Sequence, residues 1–295
     1  MPHNHSHPHG GEGNIGVAFF LNLSFTVVEL AGGILTNSIA IISDAAHDFG
    51  DSLALGLAWY FQKLSKKGSN NRYTYGYKRF SLLGAVINSV VLLVGSAYIL
   101  TEAVPRIFAP QPTDATGMLA LAAVGIAVNG AAVLRTRKAK TINERFVSLH
   151  LLEDVLGWGA VLAGAVVMRF TGWTVIDPLL SVAIAAFVLF NVFRNVRQAL
   201  PILLQRTPAG VSRERIAEGL EALAHVGGVH DLHIWSLDEE YNVMTVHIVL
   251  TEPLSAEETA ALKGEARAFL GGEGVQHATI EFEAPGETCG LLGCV

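Results

Sequence analysis

The sequence predicts a polytopic α-helical membrane protein, six transmembrane helices followed by a small C-terminal α+β domain, and three observations carry that prediction. Of its 295 residues 51% are hydrophobic and only 16% are charged, and the mean hydropathy is positive, a composition too apolar for an ordinary soluble chain. Apolar stretches long enough to cross a hydrocarbon core of roughly 30 Å, which takes about 20 helical residues, recur along the first two thirds of the chain. Past Gln205 the continuous apolar runs give way to the mixed periodicity of a soluble domain.

The spans are expected near 15–35, 38–61, 80–101, 116–134, 146–168 and 175–193. The N-terminus lacks the Lys/Arg region of a secretory signal, and the apolar run behind it is too long for a signal core, so it is expected to be a retained first span. Lys63, Lys66, Lys67, Arg72, Lys78 and Arg79 follow the second span, Arg135, Arg137, Lys138, Lys140 and Arg145 the fourth, and Arg194, Arg197 and Arg206 the sixth. The other connections hold only Arg106 and Arg169. Basic loops stay on the cytoplasmic side, which places both termini there.

In the C-terminal domain Ser212 is positioned to cap a helix reaching about His225, and 229–237 and 242–250 read as strands rich in β-branched residues. Ser255 with Glu258 three residues on forms a capping box for a second helix, and 276–283 alternates as a third strand. The order helix, strand, strand, helix, strand predicts a sandwich resembling half of a ferredoxin-like fold. Its core is thin, so pairing with a second copy would strengthen it. The expected division is a His-rich tail at 1–14, a transmembrane domain at 15–204, a cytoplasmic α+β domain at 205–284 and a Cys-containing tail at 285–295.

A net charge of −6 and the lack of a basic stripe with interleaved aromatics exclude a nucleic-acid partner. The informative residues are polar groups inside spans, each of which costs about 2.5–3.5 kcal/mol to insert and is rare unless used. Span two reads Ser43-Asp44-Ala45-Ala46-His47 and continues to Asp51, and span five reads His150-Leu151-Leu152-Glu153-Asp154. Both contain His-x-x-x-Asp, which sets the two side chains on one helix face about 5–6 Å apart at Cβ. Together His47, Asp51, His150 and Asp154 offer two imidazole nitrogens and two carboxylates, a set that suits tetrahedral zinc. Calcium and magnesium want more oxygens. Asp44, one turn before His47, is placed to accept from an imidazole N–H, while Asp48 and Glu153 point about 100° away. Asn22, Glu29, Asn88, Asn129 and Asp177 also interrupt spans, either as interhelical hydrogen bonds or as lining of a pathway.

With these motifs, and with Gly228-Val229-His230-Asp231-Leu232-His233-Ile234-Trp235 opening the soluble domain, the chain resembles the cation diffusion facilitator family of zinc transporters over nearly its whole length. The resemblance implies a homodimer in the bacterial inner membrane, a metallochaperone-like cytoplasmic domain, and export of zinc, with cobalt, nickel or cadmium as further cargo, in exchange for protons. It assigns His47, Asp51, His150 and Asp154 to the transport site, and a His/Asp pair on span two to preference for zinc over cadmium. It also implies regulatory zinc held by His230, His247 and Glu281. Some members bind a further metal in the loop after span two, but 62–79 contains no His, Asp, Glu or Cys, so that site is expected to be missing. No organic cofactor is implied. A membrane zinc metalloenzyme or a sensor that does not transport are the alternatives. The enzyme lacks a His-Glu-x-x-His motif, and the sensor leaves the intramembrane pairs unexplained.

Accessory ligands are scattered at both ends. His3, His5, His7 and His9 alternate along a tail rich in Pro and Gly, a composition that binds metal loosely without forming a core. On strands, His230 is expected to share a face with Leu232 and Ile234, and His247 one with Val243 and Thr245. His233, His277 and Glu283 are further candidates. Cys289 and Cys294 either add thiolates to this site or form a reduced tail.

Overall fold

The computed structural model describes residues 11–65, 67–136, 142–238, 240–287 and 289. His3, His5, His7, His9 and Cys294 fall outside them, as does the side chain of His150. Six long helices come first: α1 (Gly11–Thr36), α2 (Ile39–Ser65), α3 (Phe80–Phe108), α4 (Ala115–Thr136), α5 (Ile142–Thr171) and α6 (Ile176–Leu203). Among the described residues, Phe80–Phe108, Leu152–Thr171 and Ile176–Leu203 are long and apolar enough to cross a membrane, and Asn22–Thr36 and Ala115–Ala131 are shorter apolar helices. Asp44, Asp48 and Asp51 interrupt the apolar run of α2. Large apolar side chains such as Leu179, Phe187, Phe190 and Phe193 on α6 point outward, as they do when lipid is the solvent.

The α1–α2 corner shows how the chain turns without leaving backbone groups bare. Asn37 sits at φ 53°, and Asn37 N and Ser38 N donate to Ile34 O and Gly33 O, the pattern of a helix closed by a left-handed residue. Ser38 then caps α2, its Oγ accepting from Ile41 N. The two preceding N–H groups, Ile39 and Ala40, donate to the Asp177 carboxylate of α6 at 2.8 and 3.2 Å, and the Ser38 hydroxyl donates to it as well. A buried helix end requires such partners.

Packing between α4 and α5 depends on a missing side chain. A Cβ at Gly125 would lie 2.3 Å from the Trp158 ring, and Trp158 is buried with Ile41, Met118, Ala122, Val161, Ala165 and Met168. Small residues let membrane helices approach closely enough for this contact.

The second compact unit comprises residues 65–83 and 197–295. It contains α7 (Arg213–Glu221), β1 (Val226–Ser236), β2 (Asn242–Leu250), α8 (Ala256–Gly272) and β3 (His277–Glu283). The sheet order is β1-β2-β3, with β1 antiparallel and β3 parallel to β2. Ile216 and Leu220 of α7 and Ala266 and Leu270 of α8 cover Leu232, Ile234, Met244, Val246 and Ile248 on one sheet face. The Ser255/Glu258 capping box is present at the start of α8. Within this unit the α2–α3 connection meets the domain through Lys78, which lies 3.9 Å from Asp238 and stacks over Tyr241.

One expectation about the strands is overturned. His230 does not share a face with Leu232 and Ile234. It pairs directly with His247 across the ladder, and the register slips between His230 and His233. Asp231 there adopts φ 46°. This bulge adds one residue to β1, so Leu232 and Ile234 turn into the core while His230 stands on the opposite face beside His247.

Candidate metal sites

In α2, His47 Nε2 lies 3.6 Å from Asp51 Oδ2, both side chains partly buried, as the four-residue spacing requires. The α5 helix approaches α2 through Asp154 and Gly157. Asp154 lies near Asp44 and Asp48, and a Cβ at Gly157 would sit 3.7 Å from Asp44 Oδ1. Asp48 is 5% exposed; its carbonyl accepts from Asn22 Nδ2 of α1, which also donates to Ser52. Glu29 of α1 is 1% exposed, and its carboxyl lies beside those of Asp48 and Asp44. Helices α1, α2 and α5 thus gather five carboxylates, Glu29, Asp44, Asp48, Asp51 and Asp154, a concentration of negative charge out of water that calls for cations, whether metal ions or protons. Glu153 is exposed.

The cytoplasmic cluster is built by the sheet. The bulge puts the His230 and His247 rings 5.2 Å apart. The parallel register of β3 sets Glu281 beside His247 and Glu283 two residues further. Glu283 is 4% exposed and holds both imidazoles, Oε2 at 2.8 Å from His230 Nε2 and Oε1 at 2.7 Å from His247 Nδ1. Burial pushes the Glu283 carboxyl up, but hydrogen bonds to His230 and His247 and the charge of their imidazoles outweigh it and hold it below the usual range. Glu281 is largely exposed, 3.5 Å from His247 Nε2. Ligand atoms of His230, His247, Glu283 and Cys289 all lie within 4.8 Å of one another. His233 bonds to Asp231, whose other carboxylate oxygen lies 3.6 Å from His247 Nε2, and His277 packs on Tyr75; neither is in this group.

Two family models match the chain. One, for the cation efflux transmembrane domain, covers residues 15–204, and one for the cation efflux protein cytoplasmic domain covers 208–283. The chain belongs to the cation diffusion facilitator family. Cation diffusion facilitators are membrane transporters rather than enzymes, with a transmembrane cation efflux domain and a cytoplasmic domain that here contains the three-stranded sheet. The cadmium, cobalt and zinc/H(+)-K(+) antiporter of Bacillus velezensis is 35% identical, the match covering 96% of this chain and 92% of the relative. The metal cation efflux system protein CzcD of Cupriavidus metallidurans is 34% identical, over 95% and 89%. The zinc transporter ZitB of Escherichia coli is 30% identical, over 96% and 93%.

Two acidic groups of this facilitator stood lower on the sequence alone than their surroundings in the structure place them. Glu29 read as an interhelical hydrogen bond or the lining of a pathway, without distinction from Asn22, Asn88, Asn129 and Asp177, though it is the sole acidic residue between 13 and 43, a signal that could have set it apart. Glu283 stood behind Glu281, because alternation along β3 gives both the same face and burial alone separates them.

Proposed function

We propose that the chain exports zinc from the cytoplasm in exchange for protons, through a site formed by His47 and Asp51 of α2 with His150 and Asp154 of α5. The reading rests on the His47–Asp51 pair at 3.6 Å, repeated in spacing on the helix whose Asp154 approaches Asp44 and Asp48. Six spans, both termini in the cytoplasm, residence in a bacterial inner membrane and a homodimer joined through ferredoxin-like cytoplasmic domains complete the proposal. The relatives' names support the cargo class: zinc, cadmium and cobalt for one and zinc for another.

Charge explains why exchange is needed. Moving Zn²⁺ outward against about 100 mV, inside negative, costs roughly 4.6 kcal/mol, so a passive zinc pore would import. One proton moving inward lowers the electrical term to about 2.3 kcal/mol, and each pH unit of external acidity contributes about 1.4 kcal/mol more. His and Asp must lose protons to bind zinc, so one pocket can carry either species near neutral pH, where an unperturbed imidazole titrates at about 6.5.

In the cytoplasmic domain, His230, His247 and a carboxylate from β3 hold regulatory zinc. The donors fit it: a buried carboxylate already bridging two imidazoles has the N and O ligands zinc takes. Bound metal there would neutralise the Glu281 and Glu283 edge and let two copies approach.

The test is zinc and cobalt flux in proteoliposomes at two external pH values. Asp51→Ala and Asp154→Ala should each abolish zinc-for-proton exchange, since each removes a ligand and a negative charge from a poorly hydrated pocket. Near-normal exchange by either variant, shown to be folded and inserted, would overturn the site.

A further inference from the structure

The connection between α2 and α3 is a built element of the second unit. Asn70 Oδ1 accepts from Arg72 N and Tyr73 N, and its Nδ2 donates to the Tyr77 hydroxyl. Tyr73, Tyr77 and Phe80 pack ring against ring, and Tyr75 meets the His277 ring of β3 edge-on. This frame encloses a cavity of about 410 Å³, lined by Arg72, Tyr75, Lys78 and Arg79 of the connection and by Gln205 and Trp235. All of these residues belong to the one unit.

The cavity is cationic. From Gln62 to Arg79 the chain has six basic residues and no acidic one. Lys78 is shared with Asp238 and Tyr241, but among the described residues no carboxylate pairs with the Arg72 or Arg79 guanidinium, both exposed. Two planar forks that converge on one cavity suit the oxygens of a phosphate. Its place in the chain narrows the source of that phosphate. Arg79 is followed at once by α3, which is long and apolar enough to cross a membrane from Phe80 onward, so the guanidinium lies at the level of the lipid headgroups. Tyr75 and Trp235 have the apolar body and polar tip that favour that depth. The last turn of α6 leads to Gln205 with Leu200, Leu203 and Leu204 exposed, apolar surface of the kind that acyl chains cover.

We propose that this cavity binds the headgroup phosphate of an anionic phospholipid, with Arg72 and Arg79 holding its oxygens and Lys78 adding positive charge. A basic cluster that directly adjoins a membrane span attracts anionic lipid, and a pocket within the cluster selects one molecule of it. A lipid seated there joins the sheet, through Trp235 at the end of β1, to the bilayer. The site shares no residue with either proposed metal site, so it stands or falls apart from them.

Native mass spectrometry of the full-length protein in non-ionic detergent at about 0.15 M salt tests this, with dioctanoyl phosphatidylglycerol, dioctanoyl phosphatidylcholine and inorganic phosphate as probes. One phosphatidylglycerol per chain should be retained at least about tenfold more tightly than phosphatidylcholine, and equimolar inorganic phosphate should not displace it. Arg72→Gln combined with Arg79→Gln should weaken retention about tenfold. Lys63→Gln combined with Lys67→Gln removes the same charge outside the cavity and should change it by less than about twofold. Phosphatidylglycerol should also shift the tryptophan emission of the parent, and Trp235→Phe, which alters no charge, should abolish that shift. Equal retention of the two lipids refutes the headgroup preference, and displacement by inorganic phosphate makes the site one for soluble anions. Equal losses from the arginine and lysine pairs reduce it to diffuse attraction toward a basic surface. An emission shift that survives Trp235→Phe places the lipid elsewhere. Any one of these four results overturns the proposal.

Discussion

Asp177 is the side chain whose removal should damage the transmembrane domain most for the fewest atoms lost. It is 1% exposed and accepts from the Ser38 hydroxyl and from Ile39 N and Ala40 N, the first two N–H groups of α2. Asp177→Ala strands three donors where water cannot reach, each worth about 1–3 kcal/mol when left unpaired. Relief of the carboxylate's own desolvation and rotation of the Ser38 hydroxyl offset part of that, leaving a net loss of about 3–5 kcal/mol. Asp177→Asn keeps one acceptor oxygen and the shape but presents an amide N–H₂ toward other donors, so roughly 2 kcal/mol is expected. At about 2–4 °C per kcal/mol for a domain of this size, tryptophan fluorescence in mild detergent should show Tm falling by roughly 10 °C or more for Asp177→Ala and about half that for Asp177→Asn. Because Ser38 and Asp177 share a bond, a double-mutant cycle with Ser38→Ala should give a coupling of about 1–2 kcal/mol. A Tm within about 1 °C of the parent for Asp177→Ala, or zero coupling, would refute the view that α6 caps α2.

Other outcomes follow from particular contacts. Gly125→Leu drives a side chain into Trp158, whose ring already lies 2.3 Å from the place of a Cβ, and should lower the yield of monodisperse protein in size-exclusion chromatography, with Gly125→Ala intermediate. Ser255→Ala removes the cap of α8 and should cost the cytoplasmic domain about 1 kcal/mol in chemical unfolding. Hydrogen bonds from the Ser255 hydroxyl and backbone hold Glu258 below its ordinary value, so the capping contribution is complete above pH 4.5 and fades as pH falls through the lowered value. The difference between Ser255→Ala and the parent should therefore shrink in acid. His47→Asp keeps four donors at the proposed transport site but exchanges nitrogen for oxygen, and competition flux should show discrimination between zinc and cadmium relaxing more than the zinc rate. An unchanged zinc/cadmium ratio would remove His47 from the selectivity site.

How much of this was legible in advance depended on the range of the interaction. Patterns that repeat along the chain were readable. The unbroken apolar runs marked the long helices, and β2 spans Asn242–Leu250 as its β-branched run indicated. Ser255 and Glu258 form their box because its partners are three residues apart. His47 and Asp51 meet because a helix fixes the geometry of residues four apart. What tertiary structure decided was everything that joins distant segments or breaks a local period. No rule of spacing connects Asp177 to Ser38, 139 residues away. Alternation assigned His230 to the core face, and one residue at Asp231, with φ 46°, reversed it. Such a bulge leaves no periodic trace, since its stability comes from the partner strand. The same holds for Glu29, whose place among Asp44 and Asp48 depends on how α1 packs against α2. The sequence alone determined which helix or strand each candidate ligand would occupy, since local backbone geometry sets it. Which of them face one another was decided by packing, because contact between elements depends on the rotation and register of each, and neither is encoded within a single element.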